Sequence, residues 1–300
     1  MTPEMLRALI PKSGGRYVDG TVGGGGHAAA ILTASAPDGW LFGCDRDGDA
    51  LKAAAARLAE FEGRFQLVRA NFADLSRHLE PESCDGILLD LGVSSLQLDN
   101  PARGFSFQRE GPLDMRMDQS QEITALKLVN EASPEELARL FRELGEEPEA
   151  RRLARMIENE RRNRRLESTR QLAQLIESAS PRRGRRLHPA TRVFQALRMA
   201  VNDELGALRL GLIAAVELLK SGARLVIITF HSVEDRVVKE FGREQSRPYA
   251  LPGGVDVPEL RVAAEPRLRW VWRKPLRPSE SELAENPRAR SAQMRVLEKI

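Results

Sequence analysis

Four consecutive glycines, Gly23 to Gly26, follow a short apolar segment at 16–19 and precede a helical pattern at 27–33. Glycines between a strand and a helix let the backbone approach a ligand closely, and the first N–H groups of the helix remain free to bind it. The segment therefore predicts a strand–loop–helix unit that holds a cofactor. A tight turn that binds nothing is the alternative.

Apolar, strand-like segments recur along the chain and alternate with helical patterns such as 50–60 and 201–219. Strands that alternate with helices indicate βαβ units and a parallel sheet. Continuous apolar runs, without alternation, are typical of strands that are covered on both faces. The further segments lie at 40–44, 65–68, 86–90, 224–229, 268–272 and 294–297.

The alternation breaks in the middle of the chain. Residues 99–118 have no clear period and 133–180 are helical, whereas strand-like segments resume afterwards. We predict an α/β core over 1–105 and 199–300 and an inserted, all-helical domain over 106–198.

Charge is unevenly distributed between these regions. The chain has a net charge of +3, but residues 151–198 contain fourteen arginines, no lysine and four glutamates, which is +10 and leaves −7 for the rest. Arginine binds phosphate groups bidentately, so the segment predicts contact with a polyanion such as RNA. A solvated helical face is the alternative.

The two cysteines, Cys44 and Cys84, have no CxxC spacing, which argues against a disulfide framework or a zinc–thiolate site. We expect each to lie in a strand as a small buried side chain. The sequence has no paired histidine or carboxylate spacing of the kind that would indicate a catalytic metal. Residues 1–5 show no signal-peptide pattern, and no apolar run approaches the roughly 18 residues of a membrane span. These features predict a cytoplasmic protein without metal or membrane attachment, and they leave its oligomeric state open.

The glycine loop alone fits two kinds of cofactor. Gly23-x-Gly25-x-x-Ala28 satisfies the permissive dinucleotide fingerprint, and Asp45 follows Gly25 by 20 residues, where an acid would bind a ribose hydroxyl. Asp19, just before the loop, favours the other kind. A carboxylate there would repel a pyrophosphate but suits a cofactor with a sulfonium and an ammonium group.

Acidic residues also end two further predicted strands. Asp19, Asp45 and Asp90 each follow an apolar segment, and the carboxyl ends of parallel strands form the ligand crevice of such sheets. We therefore expect the three carboxylates to converge. Asp90 is also a candidate hydrogen-bond acceptor in catalysis, with a purely cofactor-holding role as the alternative.

Longer strings then make a resemblance specific. The strings extend in order along nearly the whole chain, and each is longer than a generic motif. They are DLGVSSLQLD at 90–99, RGFSF at 103–107, GPLDMRM at 111–117, HPATRVFQALR at 188–198, VNDEL at 201–205, FHSVEDR at 230–236, NPR at 286–288 and RSA at 290–292. Together they closely resemble the bacterial 16S rRNA (cytosine-N4)-methyltransferases, the MraW/RsmH family.

The resemblance implies a class I methyltransferase core, Rossmann-like with a mostly parallel sheet, and an inserted helical domain. It implies S-adenosylmethionine as the cofactor and a cytidine in the decoding region of the small ribosomal subunit as the target. The matching cofactor positions are Gly25, Gly26, His27, Asp45, Phe72, Asp90 and Gln97.

Some positions depart from the family pattern. The usual His-x-Pro before the first helix is Met1-Thr2-Pro3 here, Ala223 stands where a second glycine is commoner, and Thr229 and Val233 replace Ser and Leu. None is a predicted cofactor contact.

Several side chains have two interpretations. His27 contacts the cofactor or caps its helix, and His231 touches the target base or is a structural histidine. Phe105 and Phe107 stack on an extruded base or anchor their loop. A nicotinamide-dependent oxidoreductase and a non-catalytic rRNA-binding assembly factor are the competing functions.

Overall fold

A computed structural model describes residues 1–179, 188–251 and 256–300. The strands are β1 (Arg16–Asp19), β2 (Trp40–Asp45), β3 (Phe65–Arg69), β4 (Cys84–Asp90), β5 (Leu219–Thr229), β6 (Tyr249–Ala250), β7 (Val262–Ala263), β8 (Leu268–Trp270) and β9 (Gln293–Lys299). The helices are α1 (Thr2–Leu9), α2 (Gly26–Ala34), α3 (Gly48–Leu58), α4 (Ser95–Asp99), α5 (Ala125–Glu131), α6 (Pro134–Glu143), α7 (Ala150–Asn163), α8 (Thr169–Ala179), α9 (Thr191–Asn202), α10 (Glu204–Leu218), α11 (Ser232–Gln245) and α12 (Glu280–Glu285). None of these described helices combines the length and apolar character that a membrane span requires.

The chain divides into two compact units. The sheet unit comprises Met1–Gly92 and Leu205–Ile300, and the helical unit comprises Val93–Glu204.

The sheet unit is built on seven strands in the order β3-β2-β1-β4-β5-β9-β8. The first five are parallel, and β9 pairs antiparallel with both β5 and β8. A parallel sheet with one reversed strand inserted next to β5 is the class I methyltransferase sheet. The predicted Rossmann-like, mostly parallel sheet is confirmed.

Both faces of the sheet are covered, as the continuous apolar runs predict. On β4, Ile87 and Leu89 pack in one cluster of buried side chains, and Leu88 between them packs in a second cluster. Successive side chains of a strand point to opposite faces, so the two clusters lie on opposite faces of the sheet. Cys44 and Cys84 are buried within β2 and β4, which confirms their predicted place.

The helix predicted near 201–219 is present as α10, but it begins later, at Glu204, because the preceding helix α9 extends to Asn202. Asp203, the C-cap of α9, has the left-handed φ of 45°, which ends one helix before α10 begins at Glu204. The side chain of Asn202 holds this break by donating to the carbonyl oxygen of Met115 at 2.7 Å and accepting from the amide of Met117 at 2.8 Å. Strand β5 also starts at Leu219, before the predicted segment at 224–229.

The helical unit has its own core. Helix α6 begins after its N-cap Ser133, whose Oγ accepts from the amide of Glu136 at 3.1 Å. Phe105 belongs to this core, and Val93 packs against it. The compact unit therefore starts earlier than residue 106, since the residues that lead into the predicted insert bury their apolar side chains with it.

Candidate cofactor site

The glycine loop adopts a conformation that requires glycine at one position. Gly25 is the N-cap of α2 with a φ of 79°, and a Cβ there would lie 3.1 Å from the Cα of Ala54 in α3. Its identity thus follows from the left-handed backbone and the close approach of α3. A tight turn without ligand would account for this glycine, but not for the carboxylates around it.

Asp19 is buried at the end of β1, with 1% of its surface exposed. Its Oδ1 accepts from the amide of Thr21 at 3.2 Å, whereas Oδ2 is buried and has no hydrogen-bond partner among the described residues. Burial raises the pKa of Asp19 to about 7; His27 and the Thr21 amide oppose this rise, and Asp90 adds to it. A carboxylate in this position is costly to ionise unless a cation lies nearby.

His27 and Asp90 form an ion pair across the loop. His27 Nε2 lies 3.3 Å from Asp90 Oδ2, and His27 Nδ1 lies 3.3 Å from Thr2 Oγ1. Burial lowers the pKa of His27, but its hydrogen bond with Asp90 and the charges of Asp90 and Asp19 outweigh this, so the pKa is raised. The described contacts include no side-chain cap for α2, which excludes the capping role considered for His27.

Asp90 is further oriented by a residue that sequence reasoning missed. Its backbone amide donates to Thr21 Oγ1 at 2.7 Å, which ties the end of β4 to the loop after β1. Asp90 Oδ1 is buried with no partner in the described chain, although 27% of the side chain is exposed. In the sequence, the position of Thr21 two residues after Asp19 is the signal that could have marked it as part of the site. Its contact with Asp90 depends on the fold, which brings the two residues together.

Asp45 ends β2 beside the same loop. Its Oδ2 accepts from the amide of Gly23 at 2.9 Å, and its Oδ1 accepts from the amide of Asp47 at 2.9 Å. Burial raises its pKa despite these hydrogen bonds. A carboxylate can accept about four hydrogen bonds, so capacity for a hydroxyl donor remains. The electrostatic coupling of Asp19 to both Asp45 and Asp90 agrees with the predicted convergence of the three acids.

Phe72 follows β3 and begins a short 3-10 helix at 72–77. A Cβ on Gly20 would lie 3.0 Å from the Cβ of Phe72, and a Cβ on Gly211 would overlap its ring. Phe72 therefore packs between the end of β1 and α10, and it is only partly buried. Its predicted contact with the cofactor stays a prediction.

Gln97 belongs to the helical unit. It occupies the third position of α4, where its Oε1 accepts from the amide of Ser94 at 3.0 Å and its own amide donates to Ser94 Oγ at 3.3 Å. This capping box gives Gln97 a structural role. Its predicted cofactor contact stays a prediction.

His231 has the contacts of a structural histidine. It is the N-cap of α11, where its Nδ1 accepts from the amide of Glu234 at 3.4 Å and its Nε2 lies 3.1 Å from Glu234 Oε1. Glu234 in turn accepts from the amide of Phe230 at 3.0 Å. These contacts favour the structural interpretation over contact with a base.

The two phenylalanines of the RGFSF string serve as anchors within the helical unit. Phe105 is 8% exposed, and the ring of Phe107 lies 4.7 Å from that of His188 and 4.9 Å from that of Phe194. Both rings thus have protein neighbours, which favours the anchoring interpretation.

The arginines of the helical unit differ in their contacts. Arg161 donates to the carbonyl oxygens of Val129 and Ala132 at 2.8 and 2.7 Å, so it is structural. Others are exposed, and their side chains have no hydrogen bond or ion pair with the described residues: Arg151, Arg155, Arg164, Arg165 and Arg192. Four more lie outside the described residues: Arg182, Arg183, Arg185 and Arg186.

Taken together, the strand ends of the sheet unit carry three coupled carboxylates and one histidine. Two of the buried carboxylate oxygens, on Asp19 and Asp90, lack a donor among the described residues. Such a site is electrostatically suited to a ligand with positive charge and unsuited to a pyrophosphate.

Known proteins resemble this chain over its whole length. A family model described as "MraW methylase family" matches residues 1–300. A ribosomal RNA small subunit methyltransferase H of Syntrophotalea carbinolica is 53% identical, with 100% of this chain and 96% of that protein covered. The protein of the same name from Thermomicrobium roseum is 50% identical, with 98% and 91% covered.

Solved structures are more distant. A putative rRNA methylase from Clostridium thermocellum has a TM-score of 0.44 and 13% identity, with 99% of this chain and 94% of that chain covered. At these values the comparison adds nothing to the sequence relatives. The family match and the identity of about half confirm both the resemblance and the prediction of a methyltransferase, and the chain belongs to the MraW methylase family.

Proposed function

We propose that this chain transfers a methyl group from S-adenosylmethionine to the exocyclic N4 amine of a cytidine in the decoding region of 16S rRNA. The relatives named ribosomal RNA small subunit methyltransferase H support this substrate, because they match the chain from end to end. The partner is then the small ribosomal subunit or its rRNA, and the place of action is the cytoplasm, where that subunit is assembled.

The observation that carries the proposal is the pair of buried carboxylate oxygens without donors at the ends of β1 and β4. S-adenosylmethionine has a sulfonium and an ammonium group and no phosphate, so the residues present fit it. Asp19, at 1% exposure, acts through its charge rather than by direct contact. The proposed binding set comprises Gly25, Gly26, His27, Asp45, Phe72, Asp90 and Gln97.

The cofactor, when bound, supplies a methyl group that its sulfonium already activates. The N4 lone pair of cytosine is delocalised into the ring, so the protein must draw the amine toward a pyramidal geometry. Asp90 accepts a hydrogen bond from the N4 amine in the proposed mechanism. His27 and Thr21 orient Asp90 from its side chain and its backbone amide, respectively.

Replacement of Asp90 by asparagine tests this role. We expect Asp90→Asn to retain most of its S-adenosylmethionine binding, measured by calorimetry, because the amide oxygen still accepts a hydrogen bond, and to lose methyl transfer by about 10²-fold or more, in the range of a lost transition-state interaction. Asp45→Asn is the matched control, because it should weaken cofactor binding. Loss of binding in Asp90→Asn would contradict the acceptor role and leave Asp90 as a cofactor ligand.

The helical unit is proposed to bind rRNA phosphates through its exposed arginines. Phosphate contacts position a nucleic acid without reading its sequence, and they weaken steeply with salt. RNA affinity that does not change between low and moderate salt would contradict this role.

Two competing functions are separated by simple measurements. A thermal-shift comparison of S-adenosylmethionine with NAD(P) distinguishes the methyltransferase from an oxidoreductase. Transfer of a labelled methyl group to rRNA distinguishes the enzyme from a non-catalytic assembly factor. The site chemistry proposed here uses no metal ion, and the oligomeric state stays open.

A further inference from the structure

The connection between β8 and β9 carries a group of cations that the cofactor site does not use. They lie in the sheet unit, are exposed, and form no hydrogen bond or ion pair with any part of the chain that the structure describes. We call them the basic rim: Arg273, Lys274, Arg277 and Arg290.

The rim lies at the same edge of the sheet as the cofactor site. Asp90 pairs with Ile228 on β5, Ile228 pairs with Met294 on β9, and Met294 pairs with Leu276. Neighbouring strands are ~4.8 Å apart, so Leu276 lies about 14 Å across the sheet from Asp90. Arg277 follows Leu276 directly.

The second part of the rim lies beyond the ends of the strands. Gln293, the first residue of β9, pairs with Thr229, the last residue of β5. Arg290 precedes Gln293 by three residues in a short 3-10 helix at 287–291. The chain therefore brings Arg290 to the carboxyl edge, on which Asp19, Asp45 and Asp90 end their own strands.

Acidic residues between the two parts do not cancel the rim. Residues 273–290 contain five cations and three glutamates. One of the glutamates, Glu282, is paired with the Met1 ammonium at 2.8 Å. The hydrogen bond between the Met1 ammonium and Glu282 lowers the pKa of Glu282, and the positive charge of His27 lowers it further by a smaller amount. Helix α12 is therefore within electrostatic reach of the cofactor site.

The need for such a rim follows from the charge of the site. Three carboxylates at the strand ends suit a cationic cofactor, but they repel the phosphates of an RNA substrate. Unpaired cations at the same edge offset this repulsion and attract the polyanion to the position where the target base must enter.

We propose that the basic rim binds phosphates of the nucleotides that flank the target cytidine, which gives the sheet unit an RNA contact of its own. This inference rests on the proposed function. It adds a second RNA surface to the arginines of the helical unit.

Neutralising the rim tests the proposal. The rim variant replaces three cations with glutamine: Arg273→Gln, Lys274→Gln and Arg277→Gln. Each phosphate contact contributes about 0.7 to the slope of log affinity against log salt for single-stranded nucleic acid, so the slope should fall by about 2. We expect KM for small subunits to rise roughly tenfold at moderate salt, with kcat and S-adenosylmethionine affinity unchanged.

The matched control removes the same charge elsewhere on the sheet unit. Arg7, Lys239 and Arg243 lie on α1 and α11, and their side chains have no hydrogen bond or ion pair within the described ranges. Arg243 is in the last turn of α11, about 17 Å along the helix from the carboxyl edge at 1.5 Å per residue. The control triple, with glutamine at these positions, should leave both slope and KM near the wild type. Equal effects of the two triples would overturn the proposal.

A second variant keeps the test informative if the triple does not fold. Arg290→Gln lies on the other part of the rim and should lower the salt slope by about 0.7. An unchanged slope in this variant would contradict the rim. A wild-type protein that binds small subunits but does not methylate cytidine would refute the proposed function, and the salt slopes would still decide the rim.

Discussion

The two units of this chain hold their functional charges in opposite ways. In the sheet unit, Asp19 is 1% exposed and one of its oxygens has no partner among the described residues. In the helical unit, Arg151 and Arg155 lie one turn apart on α7, and both are exposed to solvent. The first arrangement is destabilising without a ligand, whereas the second is neutral for folding.

This difference indicates how each unit binds. A buried carboxylate acts strongly on a cation because the surrounding dielectric constant is low, and the ligand offsets the cost of ionising it. Exposed arginines act weakly one by one and are screened by salt. The sheet unit is therefore suited to one small ligand, and the helical unit to many weak phosphate contacts.

The largest expected effect comes from Asp19→Asn. Removing this charge should weaken S-adenosylmethionine binding by roughly 100-fold, the effect of a unit charge about 6 Å away at an effective dielectric constant near 20. The same variant should be more stable than the wild type without cofactor at pH 8, by about 1–3 kcal/mol, because a buried carboxylate without a donor is removed. Calorimetry and urea unfolding measure the two effects. A variant that loses both affinity and stability would contradict this interpretation.

The pH dependence sharpens the same prediction. The pKa of Asp19 is about 7 in the folded protein against 3.8 ordinarily, so the folded state holds a proton between these values that the unfolded state lacks. Its stabilising effect is present below pH 3.8 and is lost as the pH rises through 7. Cofactor affinity should change in the opposite direction and fall as the pH drops below 7. Both dependences should appear in the difference between wild type and Asp19→Asn, because the other titrating groups of the site are common to the two proteins.

The next effect concerns the His27–Asp90 ion pair. We expect His27→Ala to lower kcat by about tenfold, because Asp90 loses its orientation, and His27→Gln to restore part of it through an amide N–H. The raised pKa of His27 adds stability below its ordinary value of 6.5 that disappears as the pH rises through the folded value. The stability difference between wild type and His27→Gln should therefore shrink at alkaline pH. A constant difference would argue against the ion pair.

Within the helical unit, two adjacent arginines should behave differently. Arg161→Gln removes the donor to the carbonyls of Val129 and Ala132 and should lower the free energy of unfolding by about 1–3 kcal/mol. Arg162→Gln is the control, since Arg162 makes an exposed pair with Glu158 at 2.8 Å. It should change stability by at most about 0.5 kcal/mol. Equal effects in urea unfolding would remove the distinction between arginines that bind backbone carbonyls and arginines in exposed ion pairs.

The smallest effect is expected from the exposed pair on α7. Arg151→Gln with Arg155→Gln should leave stability unchanged and weaken rRNA binding only about 3- to 10-fold, with the salt slope lower by about 1.4. Filter binding at several salt concentrations measures this. An undiminished slope would show that these arginines form a solvated face.

Local patterns in the sequence predict most of the sheet and its acids. Strands β1 to β4 end within one residue of the apolar segments that predict them, and Asp19, Asp45 and Asp90 are the last residues of β1, β2 and β4. The hydrophobic pattern of the strands and their parallel order therefore suffice to place these carboxylates at the carboxyl edge of the sheet.

The parts that sequence reasoning missed depend on contacts between distant residues. The break at Asp203 depends on Asn202 binding backbone groups of Met115 and Met117. The orientation of Asp90 depends on Thr21, 69 positions away in the chain. No helical or strand period encodes such contacts, so the structure is needed to see them.

The most direct test of the proposed function is methyl transfer with labelled S-adenosylmethionine to small ribosomal subunits and to naked 16S rRNA, with the modified base identified by mass. We predict a single product, N4-methylated cytidine in the decoding region of 16S rRNA. Methylation of another base, methylation of cytosine at a ring atom instead of N4, or no transfer to either substrate would contradict the proposed function.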